Sequence, residues 1–322
     1  MTRLFDPGKP LALLAHCPLH AATALHHHHG LMLKTEAGRM GLNAFKALGG
    51  VYAVAQLLGG RVEDLAGGTA GKGRTFVCAS AGNHGMSVAA GARLFGASAR
   101  IHLSAQVAEG FADRLRAKGA EVVRSGTDYE ASVQAAIADA DASGATHLAD
   151  GSWPGYTEAP RLVMEGYTII ARELMEQFET YPQRVYVQAG VGGLAAAMAE
   201  TIRADWPVQP RIIVVEPDRA PCMKASAEAG RVVNVEGPVS DMGRLDCKVP
   251  SMLAVEVLAR CEVSYETVTE DEAAAAVRHA GDLGHGTTTS GAAGLAAAMR
   301  DGVDGALCLL TEGPARIGSS SS

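Results

Sequence analysis

Short apolar runs rich in Val and Ile alternate with longer Ala-rich segments along most of the chain. The runs 75–79, 99–103 and 121–124 are typical of strands, and each precedes a segment with apolar residues at helical spacing. The same alternation returns between 184 and 310. The predicted strands span 31–34, 75–79, 99–103, 121–124, 184–188, 211–215 and 306–310, and the predicted helices span 47–58, 82–95, 107–118, 128–142, 194–204, 221–228, 271–283 and 291–299.

Strands that alternate with helices predict an α/β fold with parallel sheets and helices on both faces. The two blocks predict two open, mostly parallel sheets with a cleft between their domains. We expect residues 1–46 and 158–322 to form a large domain, and residues 47–157 to form a small, mobile one.

Two stretches of biased composition interrupt this pattern. Four histidines, His26 to His29, stand side by side before the strand 31–34. Four adjacent side chains cannot all face one ion, so we predict a polar loop there and no metal site. The low-complexity end of the chain, 318–322, is predicted to fray.

Composition and charge exclude several classes of partner. The 322 residues carry 28 Lys and Arg against 35 Asp and Glu, a net charge of -7. Nucleic acid is therefore not the expected partner, because phosphate binding needs clustered basic residues. No apolar run reaches the ~20 residues of a membrane helix, and the first residues lack a signal-peptide pattern. We expect a cytoplasmic protein that contacts no membrane.

The cysteines are widely scattered and form no C-x-x-C pair. This spacing favours free buried thiols over a metal or redox site. The six positions are Cys17, Cys78, Cys222, Cys247, Cys261 and Cys308.

Lys46 is the first candidate for chemistry. It stands between Phe45 and Ala47, where an apolar helix begins within the segment 41–50. Apolar surroundings favour the neutral amine, which is a nucleophile. A surface lysine at the start of a helix is the other interpretation.

Three further segments follow predicted strands. Residues 80–85 and 188–194 each join a strand to a helix through glycines, and free N–H groups at helix starts bind anions. A substrate carboxylate suits the first and a phosphate the second, although each also fits an ordinary turn. The second contains no Walker lysine and no G-x-G-x-x-G. Thr311 ends the last strand, where a hydroxyl points into the cleft of an α/β fold.

Taken together and in this order, the segments resemble the tryptophan-synthase-β-like group of pyridoxal-phosphate (PLP) enzymes, called fold type II. The likeness covers nearly the whole chain, and it implies PLP as cofactor and a homodimer. Within the group the chain looks most like 2,3-diaminopropionate ammonia-lyase. The matching stretches are Lys34-Thr35-Glu36, 41–50, Asp150-x-x-Trp153-x-Gly155-Tyr156 and 188–192, with weaker matches at 242–247 and Ser290-Gly291.

The resemblance implies a role for each matching residue. Lys46 would form the Schiff base with PLP, and Asp150 would act beside the substrate. The domain 1–46 with 158–322 would bind PLP. Asn83 would contact the cofactor's phenolic oxygen, Thr311 its pyridine nitrogen, and the backbone of Gly190, Val191, Gly192, Gly193 and Leu194 its phosphate, while Ser80, Ala81, Gly82 and His84 would offer backbone to the substrate carboxylate.

The loop 80–84 departs from the ammonia-lyase family, which has an aspartate where this chain has Ala81. Ser-Ala-Gly-Asn-His instead looks like the loop of serine and threonine dehydratases. The resemblance implies β-elimination from an L-α-amino acid, giving a 2-oxo acid and ammonia. The substrate is expected to be a β-hydroxy amino acid (serine, threonine or phenylserine type) or 2,3-diaminopropionate. Phe111 either reaches the cleft or packs in the core.

Other activities remain open on the same scaffold. A β-replacement synthase would need a second substrate, and a racemase would release no ammonia. A non-catalytic binding protein is the third alternative, although Lys46 and Asn83 are both present.

Overall fold

The computed structural model describes residues 3–60 and 67–314, so the end predicted to fray lies outside the described residues. Strands β1 to β10 span Leu25–His28, Leu31–Thr35, Thr75–Ala79, Ser98–Leu103, Glu121–Arg124, Thr146–His147, Arg184–Gln188, Arg211–Pro217, Val263–Val268 and Ala306–Leu310. Helices α1 to α11 span Gly8–Leu14, Lys46–Leu57, Asn83–Leu94, Glu109–Ala117, Tyr129–Ser143, Glu158–Gln177, Gly193–Asp205, Cys222–Ala229, Met252–Leu258, Glu270–Asp282 and Thr289–Asp301.

The strands form two separate sheets. One has six strands in the order β1-β2-β10-β7-β8-β9, and the other has four in the order β5-β4-β3-β6. Every pairing is parallel except that of β1 with β2. The predicted α/β class with two mostly parallel sheets is therefore confirmed. The central strands β7 and β10 are apolar and buried, as strands covered on both faces are.

The sheets divide the chain much as the sequence blocks do. The four-stranded sheet uses only strands between 75 and 147, and the six-stranded sheet uses 25–35 and 184–310. The boundaries at 47 and 157, and the mobility of the smaller part, stay predictions.

The predicted polar loop at His26 to His29 is wrong for the first three residues. His26, His27 and His28 lie in β1, an edge strand paired with β2. Polar side chains suit this edge because one side of the strand faces water, so no apolar alternation marked it. His29 and Gly30 have φ of 30° and 80° and form the hairpin turn.

Several other elements were not predicted. The most important is α6, a long helix whose residues are mostly buried. Its apolar residues do recur at helical spacing, but buried polar residues such as Glu165, Thr168 and Glu173 interrupt them. Also unpredicted are α1, α9, β6 and β9.

Helix α2 crosses its neighbours at very short range. A Cβ built on Gly49 would lie 2.4 Å from a ring carbon of Tyr167, and one on Gly50 would lie 2.1 Å from Oγ of Ser87. Only glycine permits these approaches. The two glycines therefore seat α2 between α3 and α6, and so fix where its first residue, Lys46, can point.

A buried ionic network ties the N-terminal segment to α6. Arg39 donates to Glu36 at 2.8 Å and to Glu173 at 2.6 Å, and Lys34 donates to Glu173 at 2.7 Å. All four charges have partners, which buried charges require.

The expectation of free thiols is confirmed, because none of the six cysteines forms a disulfide. Within residues 3–60 and 67–314, no helix combines the length and apolar character that crossing a membrane requires.

Candidate active site

The predicted site residues meet in one place. Lys46 opens α2, and its side chain enters a cavity of about 720 Å³ at the carboxyl ends of β3, β7 and β10. Parallel α/β sheets bind ligands at this edge. The cavity is lined by Lys46, Ser80, Ala81, Gly82, Asn83, His84, Asp150, Gly190, Val191, Gly192, Gly193, Leu194 and Thr311. A second cavity, of about 540 Å³ beside β9, contains none of them.

Lys46 and Asp150 form an ion pair inside the cavity. The Nζ atom of Lys46 donates to Oδ2 of Asp150, and each side chain is only about one fifth exposed, at 22% and 19%. Burial by itself raises the pKa of the Asp150 carboxyl, but the charges of Lys46 and His84 and the hydrogen bond from Lys46 together outweigh burial and hold that pKa well below its usual range. The amine therefore faces a carboxylate rather than purely apolar neighbours.

The loop from Gly190 to Gly193 joins β7 to α7. Gly192 caps the helix with φ of 90° and offers no side chain to the free N–H groups. Within the described residues, no backbone N–H from Gly190 to Leu194 donates a hydrogen bond. A Cβ on Gly192 would lie 2.5 Å from Sδ of Met223. Unpaired donors at a helix start fit a phosphate.

The loop from Ser80 to His84 provides a second helix start. It follows β3, and Gly82 caps α3 without a side-chain hydrogen bond. The ring of His84 is buried, and its Nε2 donates to the carbonyl oxygen of Leu148 at 2.8 Å. Burial lowers the pKa of His84, which favours the neutral ring. This loop can offer N–H groups to an anion such as a carboxylate.

Asn83 is engaged in a contact that was not predicted. Its Nδ2 donates to Oε2 of Glu312, where a cofactor oxygen was expected. Glu312 is 5% exposed, and its other carboxylate oxygen accepts from Thr288 at 2.5 Å. The sequence could have marked Glu312, because this residue follows Thr311 just after the last strand.

Thr311 presents a hydroxyl at the end of β10. Its Oγ1 accepts a hydrogen bond from Nε2 of Gln188 at 3.2 Å, which leaves the hydroxyl proton for another acceptor. The side chain is 5% exposed. A neutral donor in this position fits an aromatic ring nitrogen.

Two aromatic residues near the site differ in their relation to the cavity. Tyr167, on α6, lines the cavity, and its buried hydroxyl has no partner among the described residues. The sequence did not mark it, because α6 was not predicted. Phe111 neither lines the cavity nor joins the core; its half-buried ring lies beneath the guanidinium of Arg114, 4.5 Å from the ring centroid.

The whole arrangement offers one amine, two anion-binding helix starts and one neutral hydroxyl. A profile of the family described as pyridoxal-phosphate dependent enzyme matches residues 13–312. This chain belongs to that family of PLP-dependent enzymes. The predicted cofactor is confirmed, and the site residues fit it: the unpaired N–H groups from Gly190 to Leu194 suit its phosphate.

Similar PLP enzymes include several lyases. Diaminopropionate ammonia-lyase of Escherichia coli K12 is 32% identical over 265 residues, which cover 78% of this chain and 67% of the relative. L-threonine ammonia-lyase of Thermotoga maritima is 29% identical over 206 residues, which cover 63% and 49%. These similarities confirm the expectation that the chain is a fold-type II lyase.

The fold matches that of a solved relative. Holo diaminopropionate ammonia-lyase from Escherichia coli superposes with a TM-score of 0.85 at 27% identity, covering 96% of this chain and 89% of that one. The same enzyme has been solved in complex with D-serine, with a TM-score of 0.86 at 28% identity.

Proposed function

We propose that this PLP enzyme is an ammonia-lyase that eliminates the β-substituent of an L-α-amino acid and releases a 2-oxo acid and ammonia. The observation that carries the proposal is the pairing of Lys46 with Asp150 between two helix starts whose N–H groups are unpaired. One anion site suits the cofactor phosphate and the other suits the substrate carboxylate.

Different residues of the cavity are assigned to the cofactor and to the substrate. Lys46 would carry PLP, the loop from Gly190 to Leu194 would hold its phosphate, and Thr311 would donate to its ring nitrogen. Asn83, which donates to Glu312 in this structure, would contact its ring oxygen. The loop 80–84 holds the substrate carboxylate through backbone N–H groups.

PLP, when bound, supplies an electron sink conjugated to the α-carbon of the amino acid. The amine of Lys46 removes the α-proton, and the carboxylate of Asp150 stabilises the ammonium that results. The hydroxyl of Thr311 would meet the ring nitrogen as a neutral partner, without a charge that stabilises a cation there.

Asp150 can also deliver a proton to the leaving group. Burial raises its pKa, and the charge of Lys46 is the main influence that lowers it. Once Lys46 holds the α-proton, its ammonium donates to Asp150, and a proton passed along this hydrogen bond lets Asp150 act as a donor. A hydroxide or an amine leaving the β-carbon needs such a donor.

The substrate is one of two kinds. The similarity to diaminopropionate ammonia-lyase favours an amino leaving group, and Ala81, together with the similarity to L-threonine ammonia-lyase, favours a hydroxyl group. β-Replacement and racemisation are distinguished from elimination by the products. Ammonia released without a second substrate supports elimination only.

Replacing Lys46 tests the proposal directly. Lys46→Ala removes the amine that carries PLP, so we expect loss of the visible absorbance of the lysine-bound cofactor and a fall in ammonia release of about 10³-fold or more. Lys46→Arg keeps the charge beside Asp150 and should retain the fold while losing activity. Lys72→Ala, an exposed lysine, is the matched control. A coloured, active Lys46→Ala enzyme would refute the assignment.

Three features of the whole molecule belong to the same proposal. The family resemblance supports a homodimer, and the cleft between the two sheets supports closure of residues 47–157 over the substrate. Six free thiols support a reducing compartment, which is the cytoplasm. Fractionation of the native host, followed by detection of the protein in the soluble cytoplasmic fraction, tests the location.

A further inference from the structure

Two arginines approach one aromatic ring beside the cavity. Arg114 lies on α4, next to the four-stranded sheet, and its guanidinium carbon is 4.5 Å from the centroid of Phe111. Arg244 lies in the segment between α8 and α9, next to the six-stranded sheet, and its guanidinium carbon is 6.0 Å from the same centroid. Phe111 thus holds two positive charges near each other from opposite sides of the cleft.

Only one carboxylate, that of Glu312, pairs with either guanidinium among the described residues, and it also accepts hydrogen bonds from Asn83 and Thr288. In the described part of the chain, Arg114 has no acidic partner within 4.0 Å, and the closest approach of Arg244 to one is 3.5 Å, from Nε to Glu312. The Nη atoms of Arg244 donate no hydrogen bond among these residues. Burial and the nearby charge of Arg244 both lower the pKa of Arg114, and the charge of Glu312 offsets part of this effect. A second anion beside both guanidinium groups would relieve the repulsion that remains.

Arg244 lines the active-site cavity itself. A Cβ built on Gly82 would lie 3.5 Å from its Nη1, which puts the guanidinium beside the loop proposed for the α-carboxylate. That loop can bind the α-carboxylate without help, because the N–H groups of Ala81, Asn83 and His84 donate to no atom of the described residues. Arg244 is therefore available for a different acidic group.

We infer that Arg244 and Arg114 form an anion subsite for a second acidic group, carried on the β-carbon of the substrate. The inference rests on the proposed β-elimination and narrows its substrates to β-substituted acidic amino acids, of which 3-hydroxy-L-aspartate is the simplest. Arginine suits this task because its planar donors match a carboxylate in pairs.

The reaction balances for this substrate. The α-proton and the β-hydroxide leave together as one water, and a carbon–carbon double bond forms between Cα and Cβ. The enamine that results becomes an imine by moving a proton to Cβ. One water then hydrolyses the imine to a four-carbon 2-oxo diacid and ammonia, so no oxidant or reductant is needed.

The test compares substrates with one and two carboxylates on the holoenzyme. We expect kcat/KM for 3-hydroxy-L-aspartate to exceed that for L-serine, L-threonine and 2,3-diaminopropionate by about tenfold or more. Arg244→Gln and Arg114→Gln should each raise KM for 3-hydroxy-L-aspartate by about 10- to 100-fold, and change KM for L-serine by less than about twofold. Arg244→Lys keeps the charge and should recover part of the loss.

Arg116→Gln is the matched control, since Arg116 lies on the same helix and pairs with Glu109 and Asp113 on the exposed side. A binding measurement, independent of turnover, uses calorimetry with succinate against propionate. Succinate should bind the wild-type holoenzyme more tightly, and this preference should disappear in Arg244→Gln.

The outcomes separate the two proposals. An equal rise in KM for L-serine and 3-hydroxy-L-aspartate would place Arg244 at the α-carboxylate and overturn the subsite. No preference for succinate in the wild type would overturn it as well. Failure of the wild type to release ammonia from every amino acid, with the succinate preference intact, would instead count against the lyase and leave the anion subsite standing.

Discussion

Burial and neighbouring charge favour the charged form of one residue of the cavity, Asp150, and the neutral form of another, His84. Asp150 stays charged because Lys46 is beside it, although burial alone would favour the acid. His84 stays neutral because burial dominates, in spite of the charge of Asp150. Lys46 and Asp150 thus form an acid-base pair in the cleft. The imidazole of His84 instead donates a hydrogen bond to the carbonyl oxygen of Leu148.

His147 gives a pH-dependent contribution to stability that can be measured. Burial, with a smaller effect from His84, lowers its pKa to about 4, whereas an unfolded histidine has a pKa of about 6.5. Between these values the unfolded chain binds more protons, so the stabilisation is complete above pH about 6.5 and is lost as pH falls toward about 4.

We expect His147→Gln to differ most from wild type above pH about 6.5 and progressively less toward pH about 4. Urea unfolding across that range measures the difference. His27→Gln, at an exposed position of β1, is the control for removing a histidine side chain. A wild-type-to-mutant difference that does not vary with pH would contradict the linkage.

At the scale of elements, α7 begins at a left-handed backbone conformation that residues with a side chain rarely adopt. Gly192 has φ of 90°, and its neighbours leave no room for a methyl group. The same shape turns several N–H groups toward the cavity, so stability of the loop and binding of the phosphate are linked.

Gly192→Ala should lower the free energy of unfolding by about 1–2 kcal/mol or more, and weaken PLP binding about tenfold or more. Urea unfolding and titration with PLP measure the two effects. Gly281→Ala is the control, because Gly281 lies inside α10 with nothing within 4 Å of a built Cβ. This control should stabilise the protein by up to about 1 kcal/mol and bind PLP normally.

At the scale of the whole molecule, α2 connects the two halves of the site. It packs on α3 beside one sheet and on α6 beside the other, and Lys46 stands at its first position. A change in the angle between the sheets would therefore alter the environment of Lys46. Closure of the cleft also excludes water, which strengthens the charges inside.

We expect a homodimer of about twice 33.2 kDa that closes when an amino acid binds. Light scattering during gel filtration measures the mass. Free glycine is a suitable ligand for detecting closure, because it has no β-group to eliminate. We expect added glycine to slow amide hydrogen exchange in residues 80–84 and 128–130. Acetate, which lacks the amine, is the control. A monomer, or exchange unaffected by glycine, would contradict the corresponding half of the prediction.

The sequence alone was enough for the features that depend on neighbours in the chain. The apolar runs at β3, β7 and β10 predicted strands, and the glycines after β3 and β7 predicted helix starts, because hydrophobic period and backbone freedom are local properties. The order of Lys46, the loop 80–84, the glycine loop and Thr311 resembles that of fold-type II PLP enzymes, and this resemblance predicted the cofactor.

Only the tertiary structure decided the features that join distant residues. The edge strand β1 is polar, and α6 buries Glu165 and Glu173, whose partners lie far away in the chain. Glu312 meets Asn83, and Arg114 meets Arg244, because helices and loops far apart in the chain pack side by side. Charge and close approach act through space, and the order of residues along a chain does not contain those distances.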